Sequence, residues 1–297
     1  MRMLPAATVL ALATVLALAV DATAPRFSNV FDSHMVLQRG RPIEVWGFDA
    51  SPSDSTLSVH LGLTNASVFW PVNADGSWKA VLPAIHGFGC NGTELVLKSG
   101  GNAVQTLADI CVGDVYLFSG QSNIDVPEAY GHQFDPAAQT KEEAFADANP
   151  DIRLMIVPNQ VAGLDYTAAP AAELAAGVPD SQLCPPAFDA DGKYQYCQAN
   201  VLKWARANGT VVRGFSATAW FTGTALRKAQ EGKDRLVPLG LVRSSWGGTK
   251  IRAWSSPEAI AVCVQADPAP AGSTSMLFSN MILPLVGLEF SAVVWCE

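Results

Sequence analysis

Ser122 is the residue with the clearest prospect of doing chemistry. It sits in Ser119-Gly120-Gln121-Ser122-Asn123, directly after the apolar run Val115-Tyr116-Leu117-Phe118. That run is rich in strand-favouring residues, and Ile124 to Tyr130 reads as the start of a helix in which Pro127 is tolerated near the beginning. A small hydroxyl residue at a strand-to-helix turn is exposed at the carboxyl end of the strand. Backbone N–H groups there are free to face a developing oxyanion. The chemistry suggested is nucleophilic attack on an acyl carbonyl. An ordinary βα turn uses the same residue types, so the short string alone leaves both readings open.

A serine nucleophile needs a base, an acid that orients the base, and donors for the oxyanion. The histidines are His34, His60, His86 and His132. His132 lies close behind Ser122, with Asp125 or Asp135 as a conceivable orienting acid, but nothing in that spacing favours the arrangement. His34, in DSHMVLQR, reads as a structural histidine between strands, far in sequence from Ser122.

The elements around these residues fall into two patterns. From Pro25 to about Ile110, short runs such as Ile43 to Trp46, Leu57 to Leu61, Ser67 to Pro71, Trp78 to Leu82 and Leu95 to Lys98 alternate with turn signals, which suggests a β-sandwich. From Cys111 onward strand and helix alternate, the signature of an α/β sheet. Asp151 to Pro158 reads as a strand, and Asn159 to Asn208 as a long surface excursion. Ser216 can cap a helix whose apolar stripe is Ala217, Trp220, Phe221, Thr224 and Ala225, ending near Gly232. Val237 to Val242 is the next buried strand and runs into Ser244-Ser-Trp-Gly-Gly-Thr249. Adjacent glycines there either form a plain tight turn or let backbone N–H groups approach a ligand. Trp246 and Trp254 suit either a sugar face or the core. A helix from Ser275 to Val286, interrupted by Pro284, and a strand from Ser291 to Trp295 complete the reading.

GDVYLFSGQSN closely resembles the nucleophile block of the sialate O-acetylesterase family, and further blocks follow in the same order. FDSHMVLQRGRPIEVWGF (Phe31 to Phe48) resembles its amino-terminal block. FSATAWFTGTALRK (Phe215 to Lys228) and VPLGLVRSSWGGTKIRAWSS (Val237 to Ser256) resemble its central blocks, and LFSNMILPLVGLEFSAVVW (Leu277 to Trp295) the approach to WYQGESN. The resemblance implies an SGNH-hydrolase-like three-layer α/β domain, incomplete here, over 111–297. A small jelly-roll-like β-sandwich domain over 25–110 would precede it. It implies Ser122 as nucleophile and Gly247 or Gly248 as a backbone oxyanion donor, with Gln121 and Asn123 as binding residues beside Ser122. It also implies a GESN asparagine and a catalytic Asp-His pair beyond Glu297, since Cys296 and Glu297 stand where the family has Tyr and Gln. The expected function is hydrolysis of O-acetyl esters on sialic acid or related sugars, without cofactor or metal. The alternative is a non-catalytic or vestigial carbohydrate-binding protein.

Composition narrows the setting. The 297 residues are 49% hydrophobic and 15% charged, a globular composition, and the net charge of -8 argues against nucleic acid or an anionic membrane as partner. Arg2 followed by Val9 to Val20 reads as a secretory leader cleaved after Ala22, giving a 1–22 signal peptide and a secreted or lysosomal destination. Asn65, Asn91 and Asn208 begin glycosylation sequons. Cys184 and Cys197 are the best local disulfide pair, and no cysteine spacing suits zinc.

Overall fold

The structure, a computed structural model, describes residues 24–62, 66–69, 71–132, 135–159, 203–264 and 275–296. Strands β1 (Arg26–Phe27), β2 (Val36–Gln38), β3 (Ile43–Phe48), β4 (Ser58–Leu61), β5 (Ala66–Phe69), β6 (Trp78–Leu82) and β7 (Gly89–Ser99) lead into β8, Asn102–Gly120. Helices α1 (Ser122–Asp125), α2 (Glu128–Gly131) and α3 (Pro136–Ala148) follow, then β9 (Ile152–Ile156), β10 (Lys203–Arg206), α4 (Gly209–Gly214), α5 (Ala217–Lys228) and β11 (Leu239–Ser245). Helices α6 (Ile251–Trp254) and α7 (Pro257–Val264), a π turn at Phe278–Ile282, a 3-10 turn at Leu283–Leu285, and β12 (Ala292–Cys296) close the described chain.

The sheet topology turns on β8. Its first part pairs antiparallel with β7, from Ser99↔Asn102 to Gly89↔Val112. Its last part lies parallel between β11 and β12, with Ser119 opposite both Ser244 and Trp295. The larger sheet runs β10-β9-β11-β8-β7-β4-β5, and a second, three-stranded sheet, β1-β3-β6, accompanies it. The β-rich and α/β patterns seen in the sequence are both present. The expected boundary at 110/111 falls inside this continuous strand.

Side-chain alternation splits the core in two. Val115, Leu117, Met155 and Val242 join Phe27, Val45, Trp78 and Leu95 in one cluster, which also takes in Trp254, Leu277 and Met281. Phe118, Leu154, Ile156 and Leu241 face the other way, onto Val211, Val212, Ala219 and Trp220 of α4 and α5. Helix α5 forms where expected, but its buried face is Ala219, Trp220, Gly223, Thr224 and Arg227, and Phe221 and Ala225 of the expected stripe are exposed. Ser216 Oγ accepts the Ala219 N–H at 3.1 Å, and Gly223 leaves room for Leu241, whose Cδ1 would be 2.5 Å from a Cβ there. Burying a leucine such as Leu241 contributes roughly 1.5–3 kcal/mol.

Two expectations are corrected, and a third falls outside the described residues. The single helix from Ile124 to Tyr130 is two short ones, because Pro127, with extended backbone, caps α2 instead of continuing α1. The helix expected over Ser275 to Val286 is a π turn followed by a 3-10 turn containing Pro284. The disulfide in the structure joins Cys90 to Cys111, and Cys296 is free; Cys184 and Cys197 lie outside the described residues, as do the 1–22 leader and most of the 159–208 excursion.

Candidate active site

The turn after β8 is stitched to both neighbouring strands. Gln121 N–H donates to the Cys296 carbonyl at 2.9 Å, and the Gly120 carbonyl accepts from Trp246 N–H at 3.0 Å. Gly120 has φ +128°, and a Cβ there would lie 1.9 Å from the Cys296 oxygen. Glycine is therefore required on two counts, backbone conformation and space. Ser122 opens α1 and is exposed, as is Asn123, while Gln121 is half-buried. The Gln121 carbonyl accepts the Ile124 and Asp125 N–H groups, and the Asn123 carbonyl accepts from Thr218 Oγ1 at 2.6 Å.

The glycines after β11 lie beside this turn. A Cβ on Gly247 would stand 3.7 Å from both Cα and Cβ of Ser122, whereas one on Gly248 would meet nothing within 4 Å. Gly248 has φ +77°, a left-handed conformation natural to glycine. Ser122 and Gly247, separated widely in sequence, are thus neighbours, while Gly248 follows in the same turn. The Gly247 N–H, however, already donates to Asp125 Oδ2 at 3.1 Å. Neither the Ser122 nor the Gly248 N–H has a hydrogen-bond partner among the described residues.

Beneath Ser122 lies a buried polar cluster. Asp125 is 4% exposed and Arg243 2%. Arg243 Nη2 donates to Asp125 Oδ1, Ser245 Oγ donates to the same oxygen at 3.2 Å, and Arg243 Nε donates to Ser245 Oγ at 2.8 Å. Asp125 is therefore not an orienting acid for His132. Nor is Asp135, which caps α3 by accepting the Ala138 N–H at 3.0 Å. His132 Nε2 stands 3.2 Å from Glu128 Oε1, not aligned as a hydrogen bond, and the imidazole ring meets Phe221 edge-on. Glu128 is fully buried, which pushes its carboxyl up to about 7 despite a hydrogen bond from Gln139.

His34 does pair with a carboxylate, Asp109 Oδ2, at 2.7 Å. Arg153 Nη1 at 2.5 Å and Arg206 Nε at 2.8 Å reach the same oxygen. Burial opposes ionisation of Asp109, but hydrogen bonds from Arg153, His34 and Arg206 outweigh it and hold the carboxyl well below the usual range. Among the described residues no hydrogen bond or ion pair of this cluster reaches the Ser122 turn. No histidine contact to Ser122 occurs among the described residues. Trp254 is core, 5% exposed, with Nε1 bonded to Thr249 Oγ1 at 2.9 Å; Trp246 packs half-buried against the same cluster. No group of metal-binding side chains occurs among the described residues, and no helix there is long and apolar enough to cross a membrane.

No family model matches the chain. A sialate O-acetylesterase from Pongo abelii is 28% identical over 296 residues, covering 92% of this chain and 48% of its own length. The protein of that name from Homo sapiens is 27% identical with the same coverage, and that from Rattus norvegicus 26% identical, covering 92% and 51%. The chain is similar to these sialate O-acetylesterases over most of its own length. A solved carbohydrate acetylesterase from Xanthomonas citri shares the fold, with a TM-score of 0.65 and 24% identity over 92% of this chain and 50% of that one. The chain spans about half the length of the curated sialate O-acetylesterases it matches.

What the sequence reading missed is the Asp125–Arg243 pair. Asp125 follows Ser122 by one helical turn, a spacing that says nothing of a partner on β11. Arg243 sits in a strand whose seven residues are all buried. A charged residue inside so apolar a run is the one available signal, because a buried arginine requires a carboxylate or comparable partner.

Proposed function

We propose that this chain acts as a serine carbohydrate O-acetylesterase on sialic acid or a related acetylated sugar. The observation that carries the reading is the exposed Ser122 hydroxyl at the carboxyl end of a parallel strand, with the glycine turn of β11 beside it. Ser122 Oγ attacks the acetyl carbonyl, its proton passes to a base, and the tetrahedral oxyanion is held by backbone N–H groups. Collapse releases the sugar hydroxyl, and water then hydrolyses the acetyl-serine. Among the described residues none is placed as the base. The names of the relatives supply the substrate class, and Gln121 and Asn123 would contact the sugar.

The same reading divides the chain into a 1–22 leader, a jelly-roll-like β-domain over 25–110 and an SGNH-like esterase domain over 111–297. The Cys90–Cys111 disulfide supports a secretory route, since such bonds persist in oxidising compartments. The test is release of acetate from O-acetylated sialic acid and from other acetylated sugars, with and without Ser122→Ala. Release by the unsubstituted chain that Ser122→Ala abolishes supports the proposal. Absence of release, or release that survives the substitution, overturns it.

A further inference from the structure

We infer that Asp125, neutralised by Arg243, is a positioning residue that clamps the Gly247 backbone against Ser122. The part of this inference that concerns turnover rests on the esterase reading; the clamp itself does not. The Gly247–Gly248 turn has no side chains with which to fix itself, and Gly248 is in a conformation favoured only by glycine. Its attachment comes from below. One Asp125 oxygen takes Arg243 and Ser245, and the other takes the Gly247 N–H at 3.1 Å. Because Asp125 belongs to α1, the helix that Ser122 opens, the same carboxylate ties the serine and the glycine turn into one unit.

The electrostatics explain why the ion is paired. A lone carboxylate below Ser122 would oppose the negative charge that develops on the acyl oxygen. Arg243, almost completely buried, cancels it. Stability alone does not account for the pair, because well-packed apolar residues commonly replace a buried ion pair at little or no loss. The arrangement also distinguishes the two glycines. The Gly247 N–H is occupied by Asp125, so Gly248 is the one whose N–H remains available to substrate.

The experiment uses the same fact about apolar replacement. Asp125→Leu combined with Arg243→Met removes both charges together and should leave the thermal midpoint within a few degrees of the parent. Amide exchange of a peptide spanning 244–250 should quicken at least ~10-fold, since its local anchor is gone. The acetate-release kcat should fall at least ~10-fold with KM nearly unchanged, as expected when a donor turn drifts from the nucleophile. Asp125→Asn, which keeps an acceptor for Gly247, serves if the double variant fails to fold: its 244–250 exchange should stay near the parent's while Asp125→Ala quickens it. Unchanged exchange in the folded double variant, or equal exchange in Asp125→Asn and Asp125→Ala, overturns the clamp. Faster exchange with unchanged kcat overturns its role in turnover. A parent chain that releases no acetate refutes the esterase reading, and the exchange result still decides the clamp.

Discussion

The middle of β8 and the turn at its carboxyl end carry similar chemistry and arrive at opposite results. Near its middle, Asp109 gathers His34, Arg153 and Arg206 onto a single carboxylate oxygen. At its carboxyl end, Asp125 gathers Arg243, Ser245 and Gly247, and beside it stands an exposed hydroxyl that has no hydrogen-bond partner among the described residues. The first site contains a histidine–carboxylate pair, two members of a serine triad by type, yet it is a structural staple between β-rich and α/β segments. The second contains no histidine and is the reactive candidate. Residue types are thus a poor guide to chemistry until the distance between them is known.

The sharpest way to break this comparison is through activity. Ser122→Ala should lower acetate release by several orders of magnitude, whereas His34→Ala should leave kcat within about twofold of the parent, because no contact links it to the serine among the described residues. A loss in His34→Ala as large as in Ser122→Ala would collapse the distinction.

Next in size is the cost of opening the staple. Arg153→Met should destabilise the fold by roughly 2–3 kcal/mol in urea titration, since it strips a buried partner from Asp109 while His34 and Arg206 remain. The sign with pH is also set. Asp109 is held below its ordinary value of 3.8, so its contribution is present above that pH and lost as pH falls below it. Arg153→Met should flatten this acid limb; an unchanged limb would show that the staple does not store the ionisation of Asp109.

Glu128 tests the intermediate ground, a carboxylate without a guanidinium. Its folded value of about 7 lies above the ordinary 4.5, so stability should decline as pH rises from about 4.5 through about 7. Glu128→Gln should remove that slope and raise stability at pH 7 by roughly 1–2 kcal/mol. A Glu128→Gln curve that keeps the slope would show that Glu128 is not its source.

The smallest expected effect concerns the surface. Asn91 is exposed, while Asn208 caps α4, accepting from Thr210 and Val211 N–H groups and donating to the Arg206 carbonyl. In a secreting host, glycopeptide mapping should find sugar at Asn91 and none at Asn208, and Asn91→Gln should change stability by less than ~0.5 kcal/mol.

Where physics is local, the sequence was legible. β3 alternates buried and half-buried residues, Ser216 caps α5 through its own hydroxyl, and β9 is an unbroken buried run. The turn at Ser122 was legible too, because strand-favouring residues, glycine and a hydroxyl follow one another. What escaped is long-range or context-dependent. Cys90 meets Cys111 only because β7 folds back on β8, and Arg243 finds Asp125 only once β11 lies beside β8. Pro127 was read as tolerable near a helix start, and it does start a helix, but a second one.

The continuity of β8 limits how the molecule can move. One strand from Asn102 to Gly120 belongs to the β-rich pairing at one end and the parallel pairing at the other. Ladder bonds restrain its backbone, so the segment around 110/111 is a poor hinge. Rocking of one half against the other would have to shear ladder bonds or part the shared core. Any gating of access to Ser122 then falls to the turn after β11, which lies beside it. Selectivity among substrates would be carried by that turn, with the scaffold holding still beneath it.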